Sequence, residues 1–285
     1  MPILESGRLR VHISPKGGAL TGGMTHDGRP FLRGLKGPFQ VGQIACFPLV
    51  PIGNRVGGNR FEHQGRQYEL SPTTTEPLYL HGDGWLSDWS AKDPGPDHIR
   101  LVLDQLAPIH GPHCYRAEQV ISLDGSQLRM KISVENRGDE ELPFGIGLHP
   151  FFPNGGAEIS FSASSFWTEG KNHLPQDRIG LPAWADFTQP RPLEDAVLNN
   201  AYGEWKGRAE ICWPEAGLML HMEADPLFST LMVYAPEHDR SFFCLEPMSH
   251  LPNALGQTGS VGMHLLGPGD GISGNILLTV TELLP

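Results

Sequence analysis

Cysteine is sparse in this chain: four residues out of 285, Cys46, Cys114, Cys212 and Cys244. They are far apart, form no Cys-x-x-Cys pair and stand in no zinc-type spacing with histidine. That excludes a disulfide framework or a structural zinc module and leaves buried free thiols as the expected state. Basic residues are also in the minority. With 21 Lys and Arg against 32 Asp and Glu, the formal net charge is −11 at pH 7. This is the wrong sign for nucleic acid or an anionic membrane, both of which attract clustered cations. A neutral small molecule is the expected partner. No run is long and apolar enough to span a bilayer, and Glu5, Arg8 and Arg10 interrupt the stretch where a signal peptide would need apolar continuity. A cytoplasmic location, as a monomer or homodimer, is the expectation.

Several catalytic signatures are missing too. There is no Gly-x-x-x-x-Gly-Lys-Ser/Thr loop, no Gly-x-Ser-x-Gly elbow and no Gly-x-Gly-x-x-Gly between strand and helix; Gly53–Gly58 has glycines in another order. Thirteen histidines suggest a metal at first sight. His110 and His113 are the pair closest to ligand spacing, but their offset needs a helix that Pro108 and Pro112 discourage. No metal and no cofactor are expected.

What is present is a strand pattern. Glycine and proline, 35 and 26 residues, make up about a fifth of the chain, below the roughly 25–30% that goes with low-complexity disorder. Leu9-Arg-Val-His-Ile13 alternates apolar and polar residues with period two, as do Leu101–Leu103, Gln119–Leu123 and Leu128–Val134. Asp124-Gly125 between the last two is a hairpin signal, and Pro214–Gly217 joins Ala209–Trp213 to Leu218–Glu223 in a second hairpin. Further strands are expected at Ile159–Ser162, Thr230–Tyr234, Phe242–Leu245 and Ile276–Thr281. No four-turn helical stripe, repeat or linker interrupts them. The expected fold is all-β, a large antiparallel β-sandwich with little helix, in one domain over residues 1–285. Lys171–Asn200, with four prolines, reads as a long surface excursion of the kind that often carries function.

Three distant segments each deliver a proton-handling residue: Leu80-His81-Gly82, Gly147-Leu148-His149-Pro150 and Leu245-Glu246-Pro247-Met248-Ser249-His250. His149 precedes a proline, so its backbone is biased to extended geometry at a sheet rim, suited to pointing into a cleft or to a backbone partner. Period two puts Glu246 on the face of Phe242 and Cys244, where burial would raise its pKa; the alternative is a strand already ended and a solvated carboxylate. His250 reads as structural. His81 lies where a strand opens into a loop. Asn54 and Arg55 can donate to ligand oxygens, although Arg55 can equally pair on the surface. Trp85, Trp89, Phe151, Tyr202 and Trp205 can stack on a sugar face or serve as packing, and one or two are expected to reach a ligand.

These residues fall in an ordered set of motifs: Asn54-Arg55-x-x-Gly58-x-x-Phe61, Gly65-x-x-Tyr68-x-Leu70, Leu80-His81-Gly82, Gly147-x-His149-Pro150-Phe151-Phe152, Asn200-x-Tyr202-x-x-Trp205 and Leu245-Glu246-Pro247-Met248-Ser249-His250-x-Pro252-x-Ala254. In that order and across most of the chain, the set resembles the aldose 1-epimerase, or galactose mutarotase, family. The resemblance implies a large β-sandwich binding a monosaccharide in a groove across one sheet, with no metal or organic cofactor. It implies Glu246 as the base on the anomeric hydroxyl and His149 as the acid on the ring oxygen. His149 would then be expected to hold a pKa at or above the usual 6.5. His81, Arg55, Asn54, Trp205 and Phe151 would bind the sugar.

One position departs from the family pattern. Where an aspartate usually grips sugar hydroxyls, this chain has Asn199, which keeps an acceptor but loses the charge. Three alternatives follow. Sugar phosphates would call for basic residues such as Arg60 and Arg66. A non-catalytic carbohydrate sensor on the same fold would be hinted at by Asn199. A glycoside hydrolase would need a second carboxylate beside Glu246.

Overall fold

The computed structural model describes residues 2–35, 37, 43–193, 197–257 and 262–283. Among them there is no α-helix; strands are joined by turns, including five 3₁₀ segments of three residues each. No helix in them is long and apolar enough to cross a membrane. Period two is therefore the governing pattern, and the fold is all-β as expected.

Nine strands form one antiparallel sheet, in the order Ser90–Lys92, His98–Gln105, Tyr115–Asp124, Gln127–Asn136, Gly271–Glu282, Leu218–Ala224, Arg208–Trp213, Glu158–Phe161 and Arg191–Pro192. Both expected hairpins lie in it, with Asp124 opposite Gln127 and Trp213 opposite Leu218. A second sheet runs Pro175–Ile179, Ser165–Glu169, Leu198–Gly203, Thr230–Ala235, Phe242–Met248, Gly147–Leu148 and Pro48–Leu49, with Phe151–Pro153 also paired to Phe242–Met248. The excursion from Lys171 is more ordered than its prolines suggest. Pro175–Ile179 and Arg191–Pro192 each pair at a sheet edge, and a new strand starts at Leu198; residues 194–196 lie outside the described residues.

Each strand of the second sheet sorts its side chains by parity. Phe166, Tyr202, Leu231, Val233, Phe243 and Leu245 join the large core shared with the nine-stranded sheet. Complete burial of such side chains is worth about 1.5–3 kcal/mol each, which fixes the register. The alternate residues, Trp167, Ala201, Met232, Tyr234, Phe242 and Cys244, face the other way and build a second apolar cluster with Phe47, Trp85 and Phe151. Glu169, Asn199 and Glu246 share that second parity. The face that carries the second cluster is thus where these polar candidates gather.

Candidate active site

Glu246 sits inside a strand. Phe242–Met248 continues three residues past the stretch that alternation marked, because Thr230–Ala235 pairs with it through Glu246 to Met248, while Phe151–Pro153 and Gly147 pair on its other side up to Cys244 and at Met248. The solvated alternative is thereby excluded: Glu246 is only 2% exposed. Gly147 lies opposite Met248 and Phe151 opposite Cys244. Counting two residues inward from each end brings His149 directly across from Glu246. Their facing atoms, His149 Nε2 and Glu246 Oε1, are 3.3 Å apart. The register of one sheet thus joins residues nearly a hundred positions apart.

His149 is fixed by its backbone N–H, which donates to the Phe47 carbonyl at 2.9 Å. Its ring stacks on Phe151 with centroids 4.5 Å apart and 12° between planes, and also packs on Phe47, tilted by 32°, at 4.5 Å. Nδ1 of His149 and Oε2 of Glu246 are buried without a hydrogen-bond partner among the described residues. Such orphaned groups are costly unless something polar meets them.

Burial controls the protons. It pushes the Glu246 carboxyl well above its ordinary range, against a smaller opposing pull from Arg55. It lowers His149 to about 3, helped by the Arg33 cation. The sugar-free site thus departs from the expected imidazole at or above 6.5, because burial disfavours the charged ring.

His81 caps the short strand Tyr79–Leu80, paired to Arg55–Val56. Its backbone is left-handed (φ 61°), its N–H donates to the Asn54 carbonyl at 3.0 Å, and its Nδ1 accepts from the Asn54 N–H at 3.2 Å. Burial holds its pKa well below 6.5, so the neutral ring carries its proton on Nε2. Gly82 completes the turn at φ +73°, and a Cβ there would stand 2.0 Å from the Val50 carbonyl oxygen. Gly82→Ala is expected to destabilise the fold by more than about 1 kcal/mol, because both backbone and space are wrong for a side chain. A denaturant midpoint unchanged from wild type would contradict this.

These side chains line a cleft of about 750 Å³, together with Asn54, Arg55, Phe151 and Asn199. The Arg55 N–H donates to the Asn54 side-chain oxygen, and the Arg55 guanidinium grips Glu76 Oε2 at 2.6 and 3.1 Å. Trp85 and Phe151 reach the cleft; Trp89 and Tyr202 do not. Neither does Trp205, a correction to the sequence reading. Its indole is buried in the large core, with Nε1 donating to the Arg208 carbonyl, because the chain turns inward after Leu198–Gly203. His250 is structural, its Nε2 accepting from the Gly53 N–H. His113 is buried with Nε2 on the Pro143 carbonyl, outside the cleft.

Alternation alone gave no role to Arg33, Phe47, Glu76, Glu169, His173, Tyr234 or Phe242, all of which line the cleft. Arg33 lies over the Phe151 ring at 3.8 Å. Among the described residues, His149, Cys244 and Glu246 bring donor atoms within 4.8 Å of one another, a grouping able to hold a metal. Burial raises the Cys244 thiol well above its ordinary range, so without an ion it is held as the neutral thiol.

The comparisons concern the chain as a whole. The family model described as aldose 1-epimerase matches residues 3–279. The uncharacterized Escherichia coli K12 protein YphB is 37% identical over 289 residues, covering 98% of each chain. A crystal structure of a candidate aldose 1-epimerase from Escherichia coli K12 superposes with a TM-score of 0.93 at 36% identity, over 99% of this chain and 98% of that one. Galactose 1-epimerase from Lactobacillus acidophilus shares the fold, with a TM-score of 0.80 at 17% identity over 99% and 94%. The chain belongs to the aldose 1-epimerase family.

Proposed function

We propose that the protein is a mutarotase, interconverting the α and β anomers of a neutral, unphosphorylated aldose by proton transfer alone. The observation that carries this reading is the Glu246–His149 pair, its facing atoms 3.3 Å apart and both residues lining the cleft. A sugar in that cleft would present its C1 hydroxyl and ring oxygen to the pair.

In ring opening, the Glu246 carboxylate takes the proton of the C1 hydroxyl while the His149 imidazolium gives one to the ring oxygen. The C1–O5 bond breaks to leave an open-chain aldehyde. Rotation about C1–C2 presents the other carbonyl face, and reclosure with both transfers reversed gives the other anomer. Electrons and protons balance within the sugar and the pair, so no redox partner is required. Each positioned group is worth about 10²–10⁴-fold. His81, its proton on Nε2, is placed to donate to a sugar oxygen.

The charge of the cleft favours a neutral ligand. Glu76, Glu169, Glu237 and Asp239 line it with Glu246, against Arg33 and Arg55. Arg55 is already engaged with Glu76, and Arg66 lies outside on Glu140. Optical rotation of freshly dissolved anomers tests the reading. Catalytic amounts should speed equilibration of at least one of glucose, galactose, arabinose and xylose. Activity confined to sugar 6-phosphates would replace this reading with the phosphorylated one, and binding without acceleration would replace it with a sensor.

A further inference from the structure

The wall of the cleft opposite Glu246 carries a second carboxylate in a built setting. Glu169 ends the strand Ser165–Glu169, next to Leu198–Gly203. Its Oε1 accepts from Asn199 Nδ2 at 2.6 Å and from His173 Nδ1. Behind it the chain folds tightly on itself: Asn172 and His173 are both left-handed, at φ 58° and 60°, and the Gly170 N–H donates to the Leu174 carbonyl at 2.7 Å. This turn holds the imidazole over the carboxylate. Oε2 has no partner among the described residues, and the side chain is 35% exposed, on the cleft.

Asn199 alone would present a neutral amide to the sugar. Here its N–H₂ is spent on Glu169, so the pair acts as one anchored carboxylate with a free oxygen. Asn199 lies opposite Tyr234, which lies opposite Cys244, two residues from Glu246. Three strand steps of about 4.8 Å, with the two-residue offset along the strand, separate the backbones of Glu169 and Glu246 by roughly 16 Å. Both side chains line the same cleft, so a sugar bound against Glu246 extends towards Glu169.

We infer that Glu169 is a specificity-determining residue of this site, its free oxygen accepting a hydroxyl hydrogen at the end of a neutral aldose remote from C1, with Asn199 and His173 as positioning residues. The inference rests on the mutarotase reading for its substrate class. A charge-assisted bond of this kind is directional and discriminating: it rewards a hydroxyl and repels a sugar bearing a carboxylate at that end.

The experiment combines mutarotation kinetics with calorimetric binding of glucose, galactose and glucuronate, for wild type, Glu169→Gln, Asn199→Asp and the double variant. Glu169→Gln should raise KM and Kd for the preferred neutral aldose by about ten- to a hundredfold, with kcat changed less than about threefold. It should also improve glucuronate relative to that aldose. Asn199→Asp alone should weaken binding, because two carboxylates then share one site. The double variant, with its charge moved to the neighbouring strand, should recover most of the affinity, which a merely structural role for either residue would not produce. Unchanged Kd in Glu169→Gln, a loss in kcat alone, or no recovery in the double variant would overturn the inference. Binding without turnover in wild type would overturn the mutarotase reading while leaving the affinity comparisons decisive. No saccharide binding at all would overturn both.

Discussion

Glu246→Gln is expected to lower kcat by at least about 10²–10⁴-fold, to the limit of polarimetric detection, while leaving a folded and more robust protein. The loss follows from the geometry: glutamine keeps the shape of a side chain only 2% exposed but cannot accept the C1 proton across from His149. The gain follows from burial, which raises the native pKa of Glu246 above its unfolded value near 4.5. The sign is set by linkage. A group raised on folding stabilises the native state fully below its unfolded pKa, and that contribution is lost as pH rises through the native one. Glutamine has nothing to ionise. The stability advantage of the variant should therefore widen between pH 5 and pH 9, read as denaturant midpoints at both. Retained turnover would place the base elsewhere. A pH-independent stability difference would mean that Glu246 does not carry the buried proton.

The opposing trends of activity and stability at this one residue explain why the site was partly legible in the sequence. Glu246 stands on an otherwise apolar face with Phe242 and Cys244, a placement that local folding energetics disfavour, and such conflicts mark functional positions. Period two revealed the strands and both hairpins because half-buried antiparallel sheets impose it directly. Long-range register is different. That His149 lies opposite Glu246 depends on Gly147 meeting Met248 and Phe151 meeting Cys244, pairings across about a hundred residues that no local pattern encodes. For the same reason Arg33 and Glu169 went unassigned: each reaches the cleft from an element whose neighbours are fixed only in the folded sheet. Trp205 shows the converse error. Its motif position suggested a stacking platform, yet the turn after Gly203 sends the indole into the core, onto the Arg208 carbonyl.

The pH dependence of catalysis should belong to the pair and not to either residue in isolation. With His149 lowered to about 3 and Glu246 raised, the sugar-free site holds one proton between them over a broad range, resting on the carboxyl side. Adding a second proton requires a buried imidazolium beside a neutral acid. Removing the only one requires a buried carboxylate that the pull of Arg55 offsets only in part. In kcat/KM, which reports the free enzyme, the acid limb should therefore fall well below the ordinary histidine range, towards 3, and the basic limb above the ordinary carboxylate range. Sugar changes the balance. Hydroxyls that donate to Glu246 favour its charged form and move the shared proton onto His149, which is the distribution ring opening needs. The acid limb of kcat should accordingly lie at higher pH than that of kcat/KM. Initial rates from pH 4 to 9, corrected for spontaneous mutarotation at each pH, separate the two parameters. His149→Asn should abolish the bell shape along with most of the rate, since a single carboxyl cannot supply both transfers at once. An acid limb of kcat/KM centred at 6.5 would show instead that the free site already carries an imidazolium of ordinary strength, and the proton-sharing pair would have to be abandoned.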